Sequence, residues 1–484
     1  MNPSTRNLVL VMSMLISIFM HYEHLNKDLV SIHVWRQTQT QSTINNFYEE
    51  DMNILRPTRN DRGNTDGLFR MEFPLMQWSV AALYKVFGKK IIITRVYMLC
   101  VGFMSVIGLY FLLFSLFGNT TLAVMGAWAF NFSPSFYYYT INPLPDNLAL
   151  SCAIWGIGLF FHWHKNQNKI YLIISGLLFS LAALCKLPFI IYFSIPASYI
   201  LMSWKTYNIK KLVSISFQAF VFASLPILWY LTVIPQWHGN VIVTGFFGHS
   251  TSITQLLDYY QHNLISTMPE LLLNYGALLF FLAGFYFLVK RKAFKNSSFI
   301  PILSLSIAAL AYYFYEAVAI EKVHDYYLFP FYPLLFILVG YGAFHLFHST
   351  TKAYRYFYIF LLAILPITCY LRMQERWDTE SPGFNPDLFT YKHELRDAVP
   401  GDALVVAGND HSRFIFFYYI DKKGWGFQDE QLSGEELNHM IQNGAKYLYS
   451  DSRLIDENAD IQPFLEELIQ ENGSIKVFKL KTDQ

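Results

Sequence analysis

Four stretches of this 484-residue chain gather side chains able to do chemistry. The longest, residues 33–78, opens with HVWRQTQTQSTINNFYEE, passes through a polar run rich in Arg, Asn and Asp, and ends in MEFPLMQW. The others are Asn142-Pro143-Leu144-Pro145-Asp146, Lys186 within LAALCKLPFIIYF, and EKVHDYY at 321–327.

Each admits a plain structural reading beside a chemical one. Asp146 follows two prolines at the head of an apolar run, so it either caps a helix against its dipole or stands at a reacting centre. Glu72, between Met71 and Phe73, reads the same two ways, but an acid flanked by apolar residues at a membrane is costly unless used or paired. Lys186 either snorkels to the surface or holds a lipid phosphate. Arg36 beside Trp35 suits an anion and a sugar face, although such pairs are also common at interfaces. His324-Asp325-Tyr326-Tyr327 equally suits an aromatic belt at headgroup depth. No His, Cys or Glu spacing matches a structural zinc site, and there is no Gly-rich nucleotide-phosphate loop.

Taken jointly, two carboxylates (Glu72 and Asp146), at least two cations and many aromatics suit a transfer whose leaving group is a lipid phosphate. A carboxylate takes the acceptor's proton and cations stabilise the departing phosphate. Arg36, Lys186, His324 and Tyr327 are the candidate donor-phosphate contacts. His33, Trp35, Gln37, Gln39 and Asp325 are the candidate substrate contacts.

The elements that must position these residues are apolar. The chain is 54% hydrophobic, 18% aromatic and 15% charged, against about 25% charged in soluble domains. Apolar runs of nearly membrane-spanning length recur, which predicts a polytopic all-α membrane domain. Eleven spans are predicted, at 7–22, 91–117, 120–139, 145–163, 170–185, 187–203, 211–233, 271–290, 298–316, 327–348 and 354–371. The first is expected to be a retained helix, because no small-residue cleavage site follows it. The apolar segment 74–88 is too short to span and is expected at the interface or under the following span. A net charge of +1 gives no reason to expect a nucleic-acid partner. Cys100, Cys152, Cys185 and Cys369 all fall in apolar runs and read as small buried hydrophobes.

Lys and Arg in the short connectors set the orientation. With Arg6 in the cytoplasm, the inner connectors hold Lys165 and Lys169, Lys205 and Lys210, Arg291, Lys292 and Lys295, and Lys352. The outer ones hold 142–146, Lys186 and 317–326, with Lys322 the other basic residue. All four reactive stretches then share the outer face, where no nucleotide sugar is supplied and a lipid-linked donor is the natural substrate. Residues 377–484 follow the last span and are extracytoplasmic. DALVVAG, AKYLYS and IKVFKLK read as strands, with helices at 411–419, 434–442 and 461–471, a small α/β domain. The domain organisation is thus 1–376, a transmembrane domain with outer loop 23–73, and 377–484.

HVWRQTQTQSTINNFYE with MEFPLMQWSVAALYKVFG resembles the first outer loop of bacterial GT-C integral-membrane glycosyltransferases. These are relatives of the protein O-mannosyltransferases and the lipid A aminoarabinose transferases. SPSFYYYTINPLPDNLAL, LAALCKLPFIIYF and EKVHDYYLFPFYPLLFIL are similar to later blocks of the same group, in order through residues 5–370. The resemblance implies inverting transfer of a sugar from a polyprenyl-phosphate donor to a lipid, glycan or protein acceptor, in the bacterial inner membrane with the site outside. It maps a family acid onto Asp146 and another onto Glu72, with Phe73 where the family carries Lys. Related sequences often place Asp in or after the WRQ block; here stand Thr38-Gln39-Thr40, and Gln39 cannot act as a base. Either Glu72 or Asp146 takes that role, which is the favoured reading, or the correspondence is shifted, or activity is altered or lost. The resemblance fixes no certain cofactor and leaves a divalent metal open, since some members use one, although these loops hold no convincing ligand cluster. The competing readings are a transporter or flippase, which the one-sided clustering of polar groups disfavours, and a non-catalytic assembly protein on a GT-C scaffold.

Overall fold

The computed structural model describes residues 2–204, 208–237, 241–248, 251–292, 299–349, 351–428 and 430–481. Lys205 and Lys295, two of the orienting cations, lie outside the described residues. The chain divides into two compact units.

The first unit comprises Met1–Leu25, Met71–Phe73 and Thr94–Met373 and is built of helices. Helix falls in every one of the eleven predicted segments. Among the described residues, however, five helices are long and apolar enough to cross a membrane: Ser4–His24, Ile91–Phe117, Ile209–Gln236, Asp325–His348 and Lys352–Trp377. A sixth arises if Ile253–Leu272 and Gly276–Lys290, bent by 112°, count as one span. The count of eleven is therefore not confirmed. Proline accounts for several departures, because it lacks the N–H and crowds the preceding turn. The expected 120–139 span is two pieces, Thr120–Asn131 and Pro134–Tyr139. The 187–203 span starts as a 3-10 turn, Leu187–Phe193, with Pro188 in its first turn. The helix Ile300–Tyr315 stops one residue early, so Glu316 belongs to the connector.

Asparagine opens several of these helices: the side chains of Asn2, Asn119, Asn168 and Asn208 accept backbone N–H groups of their first turns. Gly276–Lys290 and Tyr332–Ser349 pack backbone to backbone. A Cβ on Gly284 would lie 2.0 Å from the Leu338 carbonyl oxygen, and one on Gly342 1.9 Å from that of Phe280. Cys152, Cys185 and Cys369 are buried as expected, but Cys100 is exposed on its helix.

The second unit comprises Asn26–Arg70, Pro74–Ile93 and Gln374–Gln484. Its sheet has strands β1 (Leu404–Gly408), β2 (Lys423–Gly426), β3 (Tyr447–Ser450), β4 (Leu465–Asn472) and β5 (Ile475–Leu480) in the order β2-β1-β3-β5-β4. The β2-β1-β3 pairings are parallel and the β3-β5-β4 pairings antiparallel. β1, β3 and β5 occupy the three predicted strands. The helix Gly434–Gln442 starts at the predicted capping box, in which Ser433 and Glu436 each accept the other's backbone N–H. The predicted 461–471 helix is overturned: a short turn, Gln462–Phe464, leads into β4, which pairs with β5 around Gly473 at φ 60°. The free edge of β5 outweighs the helix preference of the LEEL sequence. The 411–419 helix is Ile415–Ile420, because the Asp410 carboxylate takes the N–H groups of Ser412 and Phe416 at 2.8 and 2.9 Å.

The polar segment after the first helix belongs to this unit. Its helix Val34–Glu49 packs on Ile415–Ile420 and on Leu75–Phe87, the latter covering the 74–88 segment. Gly424 N–H donates to Asn60 O at 3.0 Å and Arg62 N–H to Gly424 O at 2.7 Å, so the segment also covers the edge strand β2. Leu29 and Val34 share a core with Val405, Phe416, Tyr419 and Tyr449.

Candidate active site

Asp146 stands in the first turn of the helix Pro145–Asn166, whose fixed proline φ starts the helix where the extended Leu144 ends. The approach to it is held by a buried cation. Arg95, fully enclosed, donates to the Asn142 side-chain oxygen at 2.7 Å, and the Asn142 amide donates to the Tyr138 carbonyl at 2.8 Å. Asn147 ties the next turn to the Tyr139 carbonyl. The Asp146 carboxylate is 1% exposed and meets Lys186 Nζ at 3.3 Å from Oδ1.

Lys186 is an extended residue between the helix Lys169–Cys185 and the turn Leu187–Phe193. Its side chain points inward rather than outward, 5% exposed. The ammonium sits 4.9 Å from the Tyr327 ring centre and 5.5 Å from that of Tyr326, and the two rings stack on each other at 4.7 Å. In the same turn Asp325 accepts the Tyr139 hydroxyl at 2.7 Å. His324 turns Nδ1 to the Ala319 carbonyl at 2.9 Å. Burial lowers the His324 imidazole below its usual value, so the neutral ring donates that bond at pH 7.

Glu72 is 9% exposed on a three-residue strap of the same unit. Phe73 N–H donates to Leu184 O at 2.9 Å, and the Trp229 indole donates to Met71 O at 3.1 Å. Phe73 packs its ring edge-on to Trp229 at 5.1 Å. The strap therefore lies against the end of Lys169–Cys185, two residues before Lys186. The first unit thus brings together Asp146, Lys186, His324, Asp325 and Tyr327, with Glu72 on the strap beside Leu184.

The other candidates, His33, Trp35, Arg36, Gln37 and Gln39, belong to the second unit. His33 precedes the helix Val34–Glu49 in a left-handed conformation, φ 55°. The buried Arg36 guanidinium donates to the Gln39 side-chain oxygen one turn on, and the Gln37 amide donates to Ile32 O at 2.9 Å.

Sequence reading missed two buried charges of the first unit. Arg95 lies inside IIITRVYMLC, where a charge within an apolar run was itself the sign. Glu316 was taken as the last residue of a span. Among the described residues no group of three or more His, Cys, Asp or Glu could hold a metal ion, so no step is derived through one.

Residues 72–230 match the family model described as dolichyl-phosphate-mannose-protein mannosyltransferase. No curated protein matches the chain. Among solved structures, ArnT from Cupriavidus metallidurans bound to undecaprenyl phosphate superposes with a TM-score of 0.70 at 10% identity, over 99% of this chain and 98% of that one. The Archaeoglobus fulgidus oligosaccharyltransferase in its apo form gives 0.60 at 13% identity, over 94% and 70%. The mycobacterial arabinofuranosyltransferase AftD gives 0.56 at 12% identity, over 99% and 42%. The resemblance to GT-C membrane glycosyltransferases is thereby borne out: the chain has their fold almost end to end, and its 72–230 segment matches one of their family models.

Proposed function

We propose that the chain transfers a sugar from a polyprenyl-phosphate donor to a lipid, glycan or protein acceptor, with inversion, from the outer face of the bacterial inner membrane. The observation that carries the reading is the buried Asp146–Lys186 pair, 3.3 Å apart, beneath the stacked Tyr326 and Tyr327. A buried lysine whose ammonium has one carboxylate and two aromatic faces is placed to meet a single further anion, and a phosphate diester fits that need.

In the displacement the acceptor hydroxyl oxygen bonds to the anomeric carbon and the bond from that carbon to the phosphate oxygen breaks. Lys186 stabilises the charge gathering on the phosphate. Asp146, already ion-paired, is a poor proton acceptor and serves to orient Lys186. Glu72, on the strap that lies against Leu184, is the carboxylate assigned to take the acceptor's proton.

The test is donor binding and turnover in a Lys186 series. Lys186→Ala alone strands the Asp146 charge, so Lys186→Met with Asp146→Asn is the informative variant. It should stay folded and lose donor binding at least about tenfold, the value of one charge-assisted contact. An unchanged donor KM removes the phosphate role of Lys186.

A further inference from the structure

A second buried carboxyl group stands beside the element that covers Lys186. Glu316, just past the helix Ile300–Tyr315, is 5% exposed, and its Oε2 has no hydrogen-bond partner among the described residues. Its backbone is fixed: its N–H donates to Tyr312 O at 2.8 Å, and its carbonyl accepts the N–H groups of Ala319 and Ile320, both at 2.9 Å. The Tyr312 hydroxyl, one turn back, donates to the Tyr327 carbonyl at 2.9 Å. The Tyr312 hydroxyl is also within electrostatic reach of both Glu316 and Asp146. The turn holding Glu316 packs on Asp325–Phe331, the element whose tyrosines cover Lys186.

Lys186 is the charge that acts on Glu316, and it is already bound to Asp146. A second carboxylate there would be buried with half a partner, which costs several kcal/mol of desolvation. Burial accordingly pushes the Glu316 carboxyl up to about 8, with Lys186 pulling the other way. Of the other titratable groups on elements against this turn, Asp325 bonds Tyr139, His324 bonds Ala319 and Asp258 pairs with Lys322 at 2.6 Å, while Glu321 ends the turn and His262 ends the packed helix Ile253–His262.

We propose that Glu316 is the acid of the site: as a neutral carboxyl it donates a hydrogen bond to the phosphate held by Lys186 and gives its proton to the departing polyprenyl phosphate. This rests on the transferase reading above. The donor is a phosphodiester monoanion. Cleavage of the bond to the anomeric carbon leaves its electron pair on the phosphate oxygen, which would become a monoester dianion. The Glu316 proton returns it to a monoanion, so the site never faces two negative charges with one lysine. The acceptor's proton goes to Glu72 and then to water, and water reprotonates Glu316 before the next turnover.

The experiment is binding of undecaprenyl phosphate to the full chain in nanodiscs between about pH 7.5 and 9.5, where the phosphate monoester stays a dianion, together with transfer rates for wild type and Glu316→Gln. In the wild type, affinity should fall about tenfold as pH rises past 8, where Glu316 turns from donor to anion. Glu316→Gln keeps the hydrogen bond and cannot ionise, so its affinity should stay level over that range, while its transfer rate falls about 100-fold for want of a proton. A wild-type affinity that does not fall above pH 8, or a Glu316→Gln profile that falls in parallel, overturns the proposal, and the first outcome needs no variant to fold. A wild type that binds undecaprenyl phosphate but transfers no sugar from any polyprenyl-phosphate donor sinks the transferase reading instead.

Discussion

Arg95 and Glu316 are the two buried charges that residue-by-residue reading passed over, and each shows a different reason. Glu316 sits at the end of an apolar run and looked like a helix terminus; only the fold turns it inward beside Lys186's neighbours. Arg95 was visible as a charge within a span, but its use, fastening Asn142 at 2.7 Å, depends on a contact 47 residues away. Asp146 and Lys186, by contrast, stood out in the sequence because each marks the break between apolar runs. Their pairing could not be read there, since nothing in spacing brings positions 146 and 186 to 3.3 Å. Arg95→Leu should free the 142–146 connector and leave the Asn142 side chain unsatisfied. We expect a lower thermal midpoint in detergent, from a loss of about 1–3 kcal/mol, and a drop in kcat larger than that of Arg95→Lys. Equal kcat values for the two variants would argue against a positioning role.

At the scale of elements, apolar length placed eleven segments that all hold helix, while Ile253–His262 and Ala317–Ile320 fall in stretches read as connectors, and proline decided several of the breaks. The close approach of Gly276–Lys290 to Tyr332–Ser349 shows what a one-dimensional reading cannot contain. Gly284 and Gly342 are ordinary apolar-run residues until their helices meet. Gly342→Leu should force those helices apart, since even a Cβ would lie 1.9 Å from the Phe280 carbonyl oxygen. Thermal unfolding should show a loss of about 1–3 kcal/mol or more; an unchanged midpoint would contradict the packing. The 461–471 segment failed in the opposite sense. Glu and Leu there favour helix, yet an open strand edge on β5 recruits them into β4.

At the scale of the molecule, identities of 10–13% accompany a fold shared over more than 90% of the chain. The fold class was legible from one sequence because apolar segments and short connectors alternate along it. The family-model segment 72–230 contains Glu72, Asp146 and Lys186. Glu316 and the 324–327 turn lie beyond it, and the same unit carries them all.

The most direct test of the account is release of polyprenyl phosphate from a lipid-linked sugar extract by the full-length protein in nanodiscs, supplied with envelope extract as acceptor. Wild type should release it, and Glu72→Gln and Asp146→Asn should each fall by about 100-fold or more, Glu72→Gln with an unchanged thermal midpoint and Asp146→Asn with a lower one, because it strands the buried Lys186 charge. Wild-type release by both variants would contradict the claim that this site performs the transfer.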